Sequence, residues 1–64
     1  MRTLYELVKE AWINATCDNA YDFSDHTDED VALDMLAYDA ELEGCDDVAA
    51  ITAEVTKVRR EFPA

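Results

Sequence analysis

Residues 27–44, TDEDVALDMLAYDAELEG, decide the fold of this chain. Their apolar residues recur at spacings of three and four, which is the period of an α-helix. Thr27 is a suitable N-cap, and the three carboxylates after it oppose the positive end of a helix dipole. Gly44 stands where a left-handed C-terminal cap belongs. The stretch therefore predicts a helix over about 28–43.

This predicted helix has more than one apolar face. Its apolar residues form two arcs, one of Val31, Met35, Tyr38 and Leu42 and the other of Leu33, Leu36, Ala37 and Ala40. Two arcs are typical of a central helix in a bundle, or of a helix that keeps one arc for a partner.

A helix also precedes this stretch. Thr3 and Glu6 fit a capping box, and apolar residues follow at helical spacing, which predicts a helix over about 3–15. Residues 16–26 show no sustained period and read as an acidic loop. Tyr21 and Phe23 are apolar enough to hold that loop against the core.

A third helix is predicted over about 47–62. Its apolar residues alternate spacings of three and four, Asp46 is a good N-cap, and Pro63 ends it. The whole chain, residues 1–64, is thus expected to be a single all-α domain, a small three-helix bundle with short connections.

Charge is the most unusual property of the sequence. Sixteen acidic residues against five basic ones give a net charge of −11. Residues 18–47, called here the acidic block, hold twelve acids and no lysine or arginine. This charge excludes direct nucleic-acid binding through a basic face. It also exceeds the magnitude of about 2–8 that keeps a small domain soluble, and self-repulsion destabilises the fold.

The acidic block predicts a surface whose carboxylates take the place of nucleic-acid phosphates. The expected partner is a basic protein surface, such as a nucleic-acid-binding groove, and binding would be steered electrostatically. Small acidic phage or mobile-element inhibitors of restriction or CRISPR effectors offer an analogy of size and charge alone. The expected contact residues are Asp22, Asp25, Asp28, Asp30, Asp34, Asp39 and Glu41, with Tyr21 or Phe23 as an aromatic anchor.

A different class of function stays open beside this one. If the second apolar arc of the central helix is exposed, it can pack against a second copy of the chain. The protein would then be a small homodimeric adaptor or regulator, and the acids would only keep it soluble.

Neither catalysis nor a cofactor is expected. With Asp18 as the first position of a calcium loop, Phe23 occupies the sixth position, where the turn needs glycine. His26 has no second histidine or nearby cysteine to complete a metal site, and Ser24 has no glycine-framed elbow. The sequence thus predicts a protein that is not an enzyme and holds no metal.

Cysteines and hydropathy suggest the compartment. In an up-down-up bundle Cys17 and Cys45 lie at opposite ends of a sixteen-residue helix, about 24 Å apart. A disulfide needs Cα atoms within about 7 Å, so free thiols are expected unless the loop runs back along the bundle. No stretch approaches the ~18–20 apolar residues of a membrane span. We therefore expect a cytoplasmic protein.

Overall fold

Three α-helices frame the described part of the chain, and the prediction of an all-α three-helix bundle is confirmed. The computed structural model describes residues 2–39, 42 and 47–62. The third helix packs against both of the others. In chain order the helices are α1 (Leu4–Ile13), α2 (Asp28–Tyr38) and α3 (Val48–Glu61).

Helix α1 begins as predicted and ends differently. Thr3 Oγ1 accepts a hydrogen bond from the Glu6 N–H, and the Glu6 carboxylate accepts one from the Thr3 N–H, each at 3.1 Å. The hydrogen bond from the Thr3 backbone lowers the pKa of Glu6. The α-helix stops at Ile13 instead of residue 15, but a π-helical turn, Asn14–Asp18, prolongs the path into the predicted loop.

Helix α2 begins at the predicted cap and ends five residues early. Thr27 Oγ1 accepts a hydrogen bond from the Asp30 N–H at 3.1 Å. The predicted continuation to residue 43 is wrong, because α2 ends at Tyr38 and Asp39 is already extended (φ −101°, ψ 115°). The chain leaves the helix there and buries Leu42, which is 1% exposed. Gly44 lies outside the described residues.

Helix α3 starts on a different cap from the one predicted. The Asp47 carboxylate accepts a hydrogen bond from the Ala50 N–H at 3.0 Å, so Asp47 is the N-cap. The prediction of Asp46 was one residue off, and Asp46 itself lies outside the described residues, as does Pro63. The helix ends at Glu61, close to the predicted boundary.

Residues from all three helices and from the loop form the core. Trp12 and Phe23 stack within it at 5.1 Å between ring centroids. The buried residues are Val8, Ala11, Trp12, Phe23, Val31, Ala32, Met35, Leu42, Ile51, Val55 and Val58.

The buried face of α2 differs from the predicted arcs. Ala32, which belonged to neither arc, is fully buried, whereas Tyr38 is 87% exposed. The buried residues Val31, Ala32 and Met35 set the direction of the face, and at 100° per residue Tyr38 falls at its edge in the last turn. Tyr38 therefore belongs to the surface.

Candidate acidic interaction surface

The acidic loop is ordered by its own hydrogen bonds. The Asp22 carboxylate accepts a hydrogen bond from the Ser24 N–H at 2.8 Å, and this bond lowers the pKa of Asp22. The His26 N–H donates to the Phe23 carbonyl at 2.9 Å. Asp22 and Asp25 are both exposed on this turn. Two of the predicted contact residues thus stand in a fixed backbone.

The start of α2 continues the same acidic surface. Glu29 and Asp30 are exposed in the first turn, and the capping box holds the Asp30 side chain near the Thr27 N–H. Asp34 lies one turn further on with a side chain that is 34% exposed, and its carboxylate is 3.4 Å from His26 Nε2. Asp30 and Asp34 are separated by about 6 Å along the helix axis.

Asp28 is a predicted contact residue that forms an ion pair with an arginine of the same chain. Its Oδ2 accepts a hydrogen bond from Thr56 Oγ1 at 2.6 Å, and its Oδ1 accepts one from Arg59 Nη1 at 2.9 Å. The hydrogen bond from Thr56, followed by that from Arg59, lowers the pKa of Asp28. Both oxygens are therefore committed to α3, and Asp28 contributes less to the outer surface than its neighbours.

Arg59 joins the loop to α3, a role that the sequence did not reveal. Besides Asp28, its guanidinium donates to the backbone carbonyls of His26, at 2.8 Å, and Phe23, at 3.1 Å. The same group lies 5.9 Å from the centre of the Trp12 ring. One cation thus neutralises Asp28 and satisfies two loop carbonyls.

The structure describes one of the two last predicted acids. Asp39 is the half-buried C-cap of α2, and Glu41 lies outside the described residues. A spacing of about 10.5 Å from Asp34 to Glu41 would require a continuous helix. Because α2 ends at Tyr38, the helical rise is no longer a basis for that spacing.

Of the two predicted aromatic anchors, one is accessible. Phe23 is 6% exposed and stacked on Trp12, so of the two alternatives it is the one that a partner does not reach. Its apolar ring holds the loop on the core instead. Tyr21 is 48% exposed, and Tyr38, which the sequence placed on the buried arc, is the most exposed large apolar side chain described.

A groove opens between the end of α1, the loop and α2. We call it the α1–α2 groove; it has a volume of about 280 Å³. Its lining combines buried apolar side chains with two tyrosines, two amides and two carboxylates: Ala11, Ala15, Phe23, Met35, Tyr21, Tyr38, Asn14, Asn19, Asp34 and Asp39. Among the described residues, no lysine or arginine lines it.

The second apolar arc of α2 is divided between core and surface. Leu36 is half-buried and packs against the core. Leu33 is 46% exposed and Ala37 is exposed, while Ala40 lies outside the described residues. The exposed apolar patch is therefore smaller than the sequence suggested.

We also searched residues 2–39, 42 and 47–62 for a metal site, a disulfide and a membrane-spanning helix. Within these ranges no group of three or more His, Cys, Asp and Glu side chains could hold a metal ion. Cys17 is exposed and its thiol is free; Cys45 lies outside them. No helix of this part of the chain is long and apolar enough to cross a membrane.

The chain matches no protein-family model, no curated protein and no solved structure. The chemistry of the described residues is therefore the basis for assigning a function.

Proposed function

We propose that this protein inhibits a nucleic-acid-binding partner by presenting carboxylates where the partner expects phosphates. The partner's surface would be a basic groove, and the protein would occupy that groove in place of nucleic acid. The proposed contact surface is the exposed acids of the loop and of the first turn of α2. It comprises Asp22, Asp25, Glu29 and Asp30, with Asp34 at its edge.

The observation that carries this proposal is that exposed carboxylates are held in place by backbone hydrogen bonds but are not neutralised by a lysine or arginine. Asp22 is held by the turn at Ser24, and Asp30 is held by the capping box at Thr27. In the described part of the chain, none of the four exposed acids forms an ion pair with a lysine or arginine. A fixed charge array loses little conformational entropy when it binds, which favours affinity.

The charge of this surface also costs stability. The acids of residues 18–47 repel one another, since no lysine or arginine lies among them in the sequence. In the described structure Arg59 of α3 pairs with Asp28. A coat that serves solubility needs a smaller charge than this. Binding to a basic groove would give this additional negative charge a function, because complementary charge raises the association rate.

The experiment compares two double variants that change the net charge equally. Asp25→Asn with Glu29→Gln, and Glu10→Gln with Glu61→Gln, each raise the net charge from −11 to −9, since −11 + 2 = −9. Both pairs are exposed or partly exposed, but only the first lies on the proposed surface. The wild type is immobilised and exposed to a cell lysate at about 0.1 M salt, and bound proteins are eluted with duplex DNA.

The proposal expects a partner that duplex DNA displaces and that high salt releases. The Asp25/Glu29 variant should bind this partner about tenfold more weakly, a change of about 1.4 kcal/mol, mostly through a slower association rate. The Glu10/Glu61 variant should bind almost normally. A partner that duplex DNA leaves in place, or an equal loss in both variants, would contradict the proposal.

A homodimeric adaptor remains the second candidate, favoured by the exposure of Leu33. An apolar contact through α2 would survive high salt and would be lost in Leu33→Ser. The patch is reduced to Leu33 and Ala37 among the described residues, because Leu36 packs on its own core. Light scattering across a concentration series distinguishes the two: a constant mass of 7.2 kDa excludes the dimer.

A further inference from the structure

The α1–α2 groove has features that a general acidic coat does not need, and we propose that it binds an arginine side chain of the basic partner. This inference rests on the proposed function and adds to it a specific anchor. The occupant is one extended side chain, with its methylene groups on the groove floor and its guanidinium between the tyrosines and the carboxylate of Asp34.

The size and floor of the groove fit one long side chain. Its volume of about 280 Å³ is at the lower edge of the ~300–1,000 Å³ that small-molecule pockets occupy. Ala11, Phe23 and Met35 form an apolar floor, and each is less than a tenth exposed. The methylene stem of an arginine covers apolar surface of this kind while its charged head stays near water.

The walls and rim suit a guanidinium. Tyr21 and Tyr38 line the groove and are 48% and 87% exposed. The Asp34 carboxylate lies 3.4 Å from His26 Nε2 and keeps a third of its side chain accessible. A guanidinium is planar and weakly hydrated, stacks on aromatic rings and pairs with carboxylates. An ammonium is a compact, strongly hydrated charge and gains less from the same walls. The groove should therefore prefer arginine to lysine.

One wall is fixed before any ligand arrives. Ala20 has a positive φ of 54°, which turns the chain back onto the π-helical turn. The Tyr21 N–H then donates to the Ala15 carbonyl at 2.8 Å, and the Tyr21 ring lies 4.9 Å from that of Phe23. The Tyr21 hydroxyl is also 3.4 Å from His26 Nε2. A wall held by these contacts does not have to be ordered by the ligand.

The test uses acetyl-Gly-Arg-Gly-amide as the probe, with the citrulline and lysine peptides as controls. Backbone amide shifts of the isotopically labelled protein are followed at about 0.15 M salt, where long-range charge is screened beyond ~8 Å. The titration extends to about 20 mM, so that a contact with a dissociation constant of ~1 mM is saturated. We expect saturable shifts at Ala15, Tyr21 and Met35 with arginine, weaker ones with lysine, and none with neutral citrulline.

Three variants separate the groove from general electrostatics. Tyr38→Ala should weaken arginine binding about two- to fivefold, the size of an exposed cation–π contact, whereas Tyr38→Phe keeps the ring and should bind normally. Asp34→Asn should weaken it by a similar factor. Glu10→Gln makes the same charge change as Asp34→Asn, lies outside the groove and should have no effect.

Each result is decisive for the groove. Shifts confined to the groove, with the stated pattern of variants, support the inference. Shifts spread over the acidic loop, or equal weakening by Asp34→Asn and Glu10→Gln, overturn the groove while leaving the proposed function in place. Absence of saturable shifts overturns it as well. The proposed function fails independently, when duplex DNA does not displace the captured partner.

Discussion

Replacement of Arg59 should destabilise the domain far more than replacement of any other basic residue on α3. In Arg59→Met the alkyl stem is kept, and the guanidinium is removed with its bonds to Asp28, His26 and Phe23. The variant leaves the Asp28 carboxylate with Thr56 as its described partner and removes the guanidinium donor from both loop carbonyls. The Phe23 carbonyl keeps the hydrogen bond from the His26 N–H.

The size of the effect follows from the contacts. A hydrogen bond to a charged group contributes about 1.5–3 kcal/mol, but the Arg59 side chain is 25% exposed, so water replaces part of each bond. Taking about 1 kcal/mol for each of the three bonds gives a loss of about 3 kcal/mol. A core of this size supplies only ~3–5 kcal/mol, and at 4–8 °C per kcal/mol the melting temperature should fall by roughly 10–25 °C.

The matched control is Arg60→Met, which removes the same charge from the neighbouring, exposed position. It should change the free energy of unfolding by no more than about 0.5 kcal/mol. Thermal unfolding followed by circular dichroism at 222 nm, the ordinary helix band, measures both variants in one buffer. Equal destabilisation by the two would refute the role given to Arg59, because it would reduce the effect to charge alone.

Four further outcomes are expected. Phe23→Ala should cost about 3 kcal/mol or more in chemical denaturation because it empties a stacked core position, whereas Tyr21→Ala should cost under about 1 kcal/mol. Thr27→Ala should cost about 1 kcal/mol by removing the cap of α2, and a fully stable variant would deny that the cap matters. Sodium chloride should raise the melting temperature because it screens the repulsion among the exposed acids. A melting temperature that does not change with salt concentration would show that this repulsion is negligible. The lowered pKa of Asp28 contributes stability that is full above the ordinary pKa of aspartate, about 3.9, and lost as the pH falls through the folded value. In Asp28→Asn the free energy of unfolding should therefore fall less steeply as the pH is lowered below about 4. An unchanged fall would contradict the contribution assigned to the Asp28 carboxylate.

Local rules accounted for the features that local contacts create. The capping box at Thr3 was predicted from the spacing of a hydroxyl and a carboxyl, and the start of α2 at Thr27 was predicted from the carboxylates that follow it, because these partners lie within one turn. The loop was placed correctly from residue 19 onward, whereas residues 16–18 belong to the π-helical turn. Phe23 holds the loop on the core as its apolar ring predicted, and Tyr21 is 48% exposed. Such features depend on a few adjacent residues and on little else.

Features made by distant residues were not visible. Leu42 is buried whether α2 continues to it or the chain bends at Asp39, so its apolar character could not place the end of the helix. Asp28 lies four and seven residues before Ala32 and Met35, a spacing that puts it on the buried face. That spacing was a usable signal, but the partner, Arg59, is 31 residues away.

The stacking of Trp12 on Phe23 gives the molecule a built-in optical reporter. Trp12 is the single tryptophan of the chain, is 8% exposed, and contacts both the Phe23 ring and the guanidinium of Arg59. Its emission thus responds to the seating of the loop, while the helical signal comes from α1, α2 and α3. A red shift of the fluorescence that precedes the loss of helix would identify a species with a detached loop, and with it an acidic surface that has lost its order.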